Sequence, residues 1–347
     1  MNVRVFNRAG ALLSLSLLAL ALPAQAEPLR VVSSFSILND MVREIGGDKV
    51  MASAIVPANG DAHSFEPRPS DAKTLASAQL LVINGLDFEA WLPRLQQSAG
   101  YRGPQVVATQ GIDALAFEGG HDHAHESGQD HDDGHDHGHD HDHDHDHDHD
   151  HDHGHGHGKE QAAEPPHAHS HGSQDPHAWQ SLSLAQTYIG NIAQGLSQAD
   201  PANADYYQRR AQDYAQRAQQ LDQSIKSRLQ AIPAEQRKVI TSHDAFAYLG
   251  KEYGITFISL VGVSSQAEPS AREIAQVIEQ ARRENIHAIF VENTVSPRLV
   301  EQVARETGAK VGGTLYSDAL GKPGSGADSY LGMMKWNTDK LIEALTP

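Results

Sequence analysis

The chain has 347 residues, enough for two domains, with no cysteine and a formal net charge of −18. The absence of thiols excludes disulfides and thiolate metal sites, so any metal held here must use His, Asp or Glu. The acidic balance argues against nucleic acid and anionic lipid as partners and leaves a cationic ligand open.

Residues 1–26 read as a secretory signal peptide. Arg4 and Arg8 precede an apolar run from Ala11 to Leu22, and Ala24-Gln25-Ala26 supplies small residues before a cleavage point. The run is too short to span a bilayer as a stop-transfer helix. The next residue is Glu27 rather than Cys, so no lipid anchor is expected and the mature chain should be soluble in a periplasm. Beyond it, short apolar strands are predicted at Leu29–Ser33, Val50–Val56, Leu80–Asn84 and Gln105–Ala108, with helices at Ile37–Ile45 and Ser70–Ala78.

From His121 to His171 the pattern breaks. This tract holds 19 of the 23 histidines, with strict His-Asp alternation from His139 to His153. Having almost no apolar residues, it cannot offset the entropy of ordering and is expected to be disordered without metal. Gly119-Gly120 precede it and Pro165-Pro166 lie near its end, so it reads as an insertion between folded segments.

After the tract, Ser183–Leu196 predicts a helix, and Asp200-Pro201 marks the start of a longer one. Tyr207, Ala211, Tyr214, Ala218, Leu221, Ile225 and Leu229 then recur on one helical face over roughly 40 Å. Strands follow at Lys238–Thr241, Thr256–Leu260, Ala288–Val291 and Lys310–Gly312, separated by helices at Phe246–Tyr253, Ala271–Glu284 and Pro297–Thr307. Alternating strands and helices predict an α/β protein with mostly parallel sheets covered on both faces. The expected plan is an N-terminal lobe at 27–199 carrying a loop at 119–172, a linking helix at 200–232 and a C-terminal lobe at 233–347.

Four short motifs could carry chemistry: Gly60 to Pro67, Asp175-Pro176-His177-Ala178-Trp179, Ser242 to Phe246, and Tyr316 to Leu320. Three of them follow strand carboxyl ends, where open α/β sheets place ligands. Outside the tract the histidines are His63, His177, His243 and His287, and the first three each sit in a turn at an element boundary. His287 precedes a buried strand and reads as structural or exposed. Three imidazoles and one carboxylate form a borderline-soft donor set that suits tetrahedral Zn²⁺. Mn²⁺ and Ca²⁺ prefer more oxygen donors, whereas Cu²⁺ and Ni²⁺ are not excluded by donor type. Capture through neutral imidazole should weaken below about pH 6. A zinc hydrolase is disfavoured, because His-Glu-x-x-His is absent and no general base stands out.

The same motifs resemble those of the metal-specific ABC-transporter solute-binding family, in particular its zinc-binding, ZnuA-like members. Ala62-His63-Ser64-Phe65-Glu66-Pro67 is similar to the family's Pro-His-x-Tyr-Glu-Pro turn. Asp175 to Trp179 matches Asp-Pro-His-x-Trp, His243 to Tyr248 matches His-x-Ala-Phe-x-Tyr, and Leu315 to Leu320 resembles Leu-Tyr-x-Asp-x-Leu. The resemblance spans essentially the whole mature chain. It implies metal ligands at His63, His177 and His243, with Asp318 or a water completing the shell. It also implies two lobes joined by one long rigid helix, with zinc held in the cleft between them. The cargo would pass to the permease and ATPase of a membrane importer, carried by a monomeric, non-enzymatic protein. Manganese-type relatives usually have Glu at the third position, so His243 favours zinc. The disulfide of some zinc-type relatives is impossible here. Glu66 is expected to cap or brace its turn rather than to bind metal. The His/Asp tract reads as an auxiliary zinc collector, long enough to visit the cleft at an r.m.s. span near 40 Å.

Overall fold

Among the described residues, eight short strands rich in Val, Ile and Leu form two separate four-stranded sheets. The computed structural model describes residues 27–116, 174–261 and 269–346. The expected signal peptide and His/Asp tract lie outside the described residues. In the first sheet β1 (Leu29–Phe35), β2 (Val50–Val56), β3 (Leu80–Ile83) and β4 (Gln105–Val107) run parallel in the order β2-β1-β3-β4. In the second, β5 (Lys238–His243), β6 (Thr256–Val261), β7 (Ala288–Glu292) and β8 (Lys310–Leu315) run parallel in the order β6-β5-β7-β8. The two sheets therefore share one strand plan. Each has a switch point where successive crossovers leave in opposite directions, the place where such sheets bind ligands.

Parallel pairing requires crossovers, which are helical here. The first lobe carries α1 (Ser36–Gly46), α2 (Pro69–Ala76), α3 (Leu92–Ala99) and α4 (Ala185–Ala199). The second carries α6 (Ala247–Tyr253), α7 (Ala271–Arg283), α8 (Arg298–Thr307) and α9 (Tyr330–Leu345). Covered on both faces, β3 is buried at all four residues. The strand β8 runs on past the expected Gly312 to Leu315, since its pairing with β7 resumes at Thr314 after an irregularity.

Between the lobes runs α5 (Ala204–Leu229), 26 residues and thus about 39 Å long. It buries Tyr207, Ala211, Tyr214, Ala218, Ile225 and Leu229, six of the seven positions that the sequence pattern placed on one face. That face packs on α1 and α4 at one end and on α6 and α9 at the other. Arg217 pairs with Glu44 of α1 at 2.5 Å, and Lys226 pairs with Glu252 of α6 at 2.5 Å. Apolar packing is continuous from the first sheet through α5 to α9 and β5. A separate, smaller cluster fills the space between the second sheet and α7 and α8, around Ile240, Val277, Ile289, Val300 and Val303. Among the described residues, no helix is long and apolar enough to cross a membrane.

Candidate metal centre

The four sequence-selected residues meet at one point between the two sheets. His63, His177, His243 and Asp318 each offer one ligand atom, and these atoms all lie within 4.8 Å of one another. His63 Nε2 is 3.3 Å from His177 Nε2, and His177 Nε2 is 3.4 Å from Asp318 Oδ1. His243 Nε2 is 3.0 Å and His63 Nε2 3.7 Å from Asp318 Oδ2. Side chains of His177 and His243 are fully buried, Asp318 is 1% exposed and His63 5%. His287 stands outside this group, exposed ahead of β7.

Each donor is placed by its own element. His63 follows β2 in a turn held by Asp61, whose Oδ1 accepts from His63 N at 2.9 Å and whose Oδ2 accepts from Ser64 Oγ. Trp91 Nε1 donates to Ala62 O at 2.8 Å and fixes the residue just before it. The bracing assigned to Glu66 therefore falls to Asp61. Glu66 is exposed. A short Asp side chain two residues before the amide closes such an Asx turn directly. Phe88 lays its ring against His63 at 4.8 Å between centroids. It is turned inward by positive φ at Gly85, Leu86 and Asp87. Buried Glu89 anchors that reversal, accepting from Ser34 Oγ at 2.6 Å and from Asn84 N at 2.7 Å.

His177 is braced locally. Its Nδ1–H donates to Asp175 Oδ1 at 2.7 Å, and its backbone N–H donates to the same oxygen at 2.9 Å. Asn84 Nδ2 holds Pro176 O at 3.0 Å, tying the motif to the end of β3. His243 ends β5, and its brace arrives from the adjacent strand. Glu292, the last residue of β7, accepts from His243 N at 2.9 Å through Oε1 and sets Oε2 2.6 Å from Nδ1. In both cases a carboxylate behind the ring fixes its orientation and directs Nε2 into the centre, a recurring arrangement around metal-binding histidines. Sequence reasoning assigned no role to Asp175 or Glu292. The available signal was a carboxylate two residues before His177, and another ending a buried strand on the ligand side of its sheet.

Asp318 sits on a turn clasped by the first lobe. Ser317 O accepts from Trp179 Nε1 at 2.9 Å and Gln180 Nε2 at 2.8 Å, and Leu320 N donates to Ser36 Oγ at 3.0 Å. Both Asp318 oxygens and His243 Nε2 are buried yet make no hydrogen bond of acceptable angle. Buried polar atoms left in this way are costly unless a ligand satisfies them.

Charge states differ around the ring. Burial pushes His63 down to about 4, aided by His177 and His243 and opposed by Asp318. Burial also opposes the charged form of His243, but the carboxylates of Glu292 and Asp318 outweigh it and raise its pKa well above the ordinary value. Burial opposes ionisation of Asp318 too, yet His243, His177 and His63 hold it below the usual carboxylate range. Three imidazoles and one carboxylate, convergent and dehydrated, can coordinate a divalent cation in a four-donor shell.

Comparison with known proteins bears on the family. The family described as zinc-uptake complex component A, periplasmic (ZnuA), matches residues 31–344. The manganese ABC transporter substrate-binding lipoprotein PsaA of Streptococcus anginosus is 29% identical over 355 residues, covering 98% of this chain and 99% of that one. The iron-binding protein YfeA of Yersinia pestis is 30% identical over 348 residues, covering 97% and 96%. The periplasmic zinc-binding protein TroA of Treponema pallidum shares the two-lobed fold with a TM-score of 0.72 at 23% identity, over 93% of this chain and 100% of that one. The chain belongs to the ZnuA family and is a metal-binding substrate-binding protein of ABC import, not an enzyme.

Proposed function

We propose that the protein captures Zn²⁺ with high affinity between its lobes and delivers it to the permease and ATPase of an ABC importer. His63, His177 and His243 supply three imidazole nitrogens and Asp318 the fourth donor. The observation that carries this reading is the convergence of these four buried groups with Asp175 and Glu292 behind two of the rings. Three nitrogens and one oxygen suit zinc, whereas manganese favours sites richer in oxygen. PsaA and YfeA are named for manganese and iron, so Mn²⁺ is the competitor that matters most. Competition titration of purified protein with Zn²⁺, Mn²⁺, Cu²⁺ and Ni²⁺ tests the reading: zinc should displace manganese from the tight site. A site that prefers Mn²⁺ ends the zinc assignment.

The same reading includes a cleaved leader at 1–26, release as a diffusible monomer in the periplasm, and lobes at 27–199 and 233–347 joined by 200–232. The His/Asp tract would collect further zinc weakly. Its placement supports this role, because Ala116 pairs with Gln174 across an antiparallel bridge and Asp175 N donates to Leu115 O at 2.9 Å. The intervening chain thus leaves and returns beside His177. Deleting residues 121–171 should remove weak sites and spare the tight one, which calorimetry can read.

A further inference from the structure

A second set of contacts joins the lobes at the rim of this centre without offering a donor to it. Asn59 lies in the turn between β2 and His63, at a φ of 56°. Its backbone N–H donates to Leu320 O at 2.9 Å, two residues beyond Asp318. Across the cleft, Asn293 follows Glu292 directly. Its Nδ2 donates to Asn59 Oδ1 at 3.0 Å and to Ala319 O at 3.2 Å. Their partners fix both amide orientations. A carbonyl oxygen only accepts, so Asn293 must turn its nitrogen to Ala319, and Asn59 must then present oxygen. The left-handed backbone at position 59 also restricts the residue, since Asn, Asp and Gly tolerate it where most side chains do not.

Three segments meet in this knot: the approach to His63, the residue after the brace of His243, and the residues after Asp318. We propose that the Asn59–Asn293 pair is a latch that sets how fast the closed site opens and releases its ion. Both asparagines are positioning residues, acting through the turns that carry the donors. Because those donors are nearly or fully buried, an ion can leave only when the lobes part, and these hydrogen bonds must break first. The inference rests on the metal-capture reading above and adds to it a kinetic determinant remote from the donor set.

The test is zinc release from full-length, zinc-loaded protein into excess chelator, followed by stopped flow, with association measured separately. Asn293→Ala and Asn59→Gly should each release zinc about three- to tenfold faster, the worth of one net hydrogen bond. Association and the melting temperature of the metal-free protein should hardly change. Asn293→Asp should also release faster, because it sets a carboxylate against the carbonyl of Ala319, which can only accept. Asn59→Asp keeps both the acceptor and the backbone tolerance, and should restore slow release. Unchanged release in Asn293→Ala and Asn59→Gly overturns the latch, as does an Asn59→Asp variant as fast as Asn59→Gly. A wild-type protein that takes up no zinc overturns the capture reading and the latch together.

Discussion

The two lobes hold their histidines by different means. His177 takes its brace from Asp175, two residues earlier, so ring and carboxylate come together as soon as that one turn forms. His243 takes its brace from Glu292, 49 residues later, and the pair exists only when β5 and β7 are in register. The N-terminal side of the centre is therefore set by local turns and the C-terminal side by sheet assembly. Charge follows the same division. His243 lies against both Glu292 and Asp318 and carries a raised proton affinity, whereas buried His63 has a lowered one.

On the proposed capture reading, removing Asp318 should do most damage, because it would be the one anionic donor and its turn is clasped by the first lobe. Asp318→Ala should weaken zinc binding by more than the ~100-fold that marks the upper end of outer-shell effects. Near wild-type affinity in a competition assay would remove Asp318 from the donor set. The braces come next. Asp175→Asn and Glu292→Gln should each cost about 10- to 100-fold in affinity. Only Glu292→Gln should also alter proton release. In the metal-free wild type the carboxylates of Glu292 and Asp318 favour the protonated form of His243, and the ring must give up that proton to offer a lone pair. Calorimetry in buffers of different ionisation enthalpy should therefore count protons released as zinc binds. Glu292→Gln should lower that number and Asp175→Asn should leave it unchanged. Burial keeps His63 neutral down to about pH 4, so its own protonation should lower affinity only in acid.

The smallest effect concerns the seam between α1 and α9. Asp40 accepts from Tyr330 N at 2.7 Å, and burial raises its pKa to about 6, with Glu44 adding to the rise and the Tyr330 amide opposing it. Between its ordinary value and about 6 the folded protein holds the proton more tightly than the unfolded chain. Its contribution to stability is therefore greatest in acid and falls as pH rises through that window. Asp40→Asn should flatten this slope in thermal melts and leave zinc affinity unchanged.

Much of this organisation is legible in the sequence. Apolar β-branched runs mark the strands, a seven-residue stripe marks α5, and a histidine at an element boundary marks three of the four candidate donors. What stays hidden has a physical reason in each case. The helix α9 buries Asn337 and Thr338 among its apolar positions, which blurs the helical period. Asn337 is spent on the backbone of Tyr316, donating to its carbonyl at 2.7 Å and accepting from its N–H at 2.8 Å. The helix α3 has eight residues and buries only Leu92 and Leu95, too few to show a face. The position of Glu292 at a strand end is legible, but its pairing with His243 is not, because the partner lies on another strand and strand register cannot be read from spacing. Asp61 was overlooked for the larger carboxylate of Glu66, although the shorter, nearer side chain closes the turn.

The near-complete burial of the four donors has an environmental consequence. An ion seated among groups between 0 and 5% exposed must surrender its water shell. Magnesium gives up its waters reluctantly and demands an octahedron of oxygens. A carrier of this shape can therefore work in fluids where magnesium vastly outnumbers its cargo, ignoring the abundant ion by making dehydration the condition of entry.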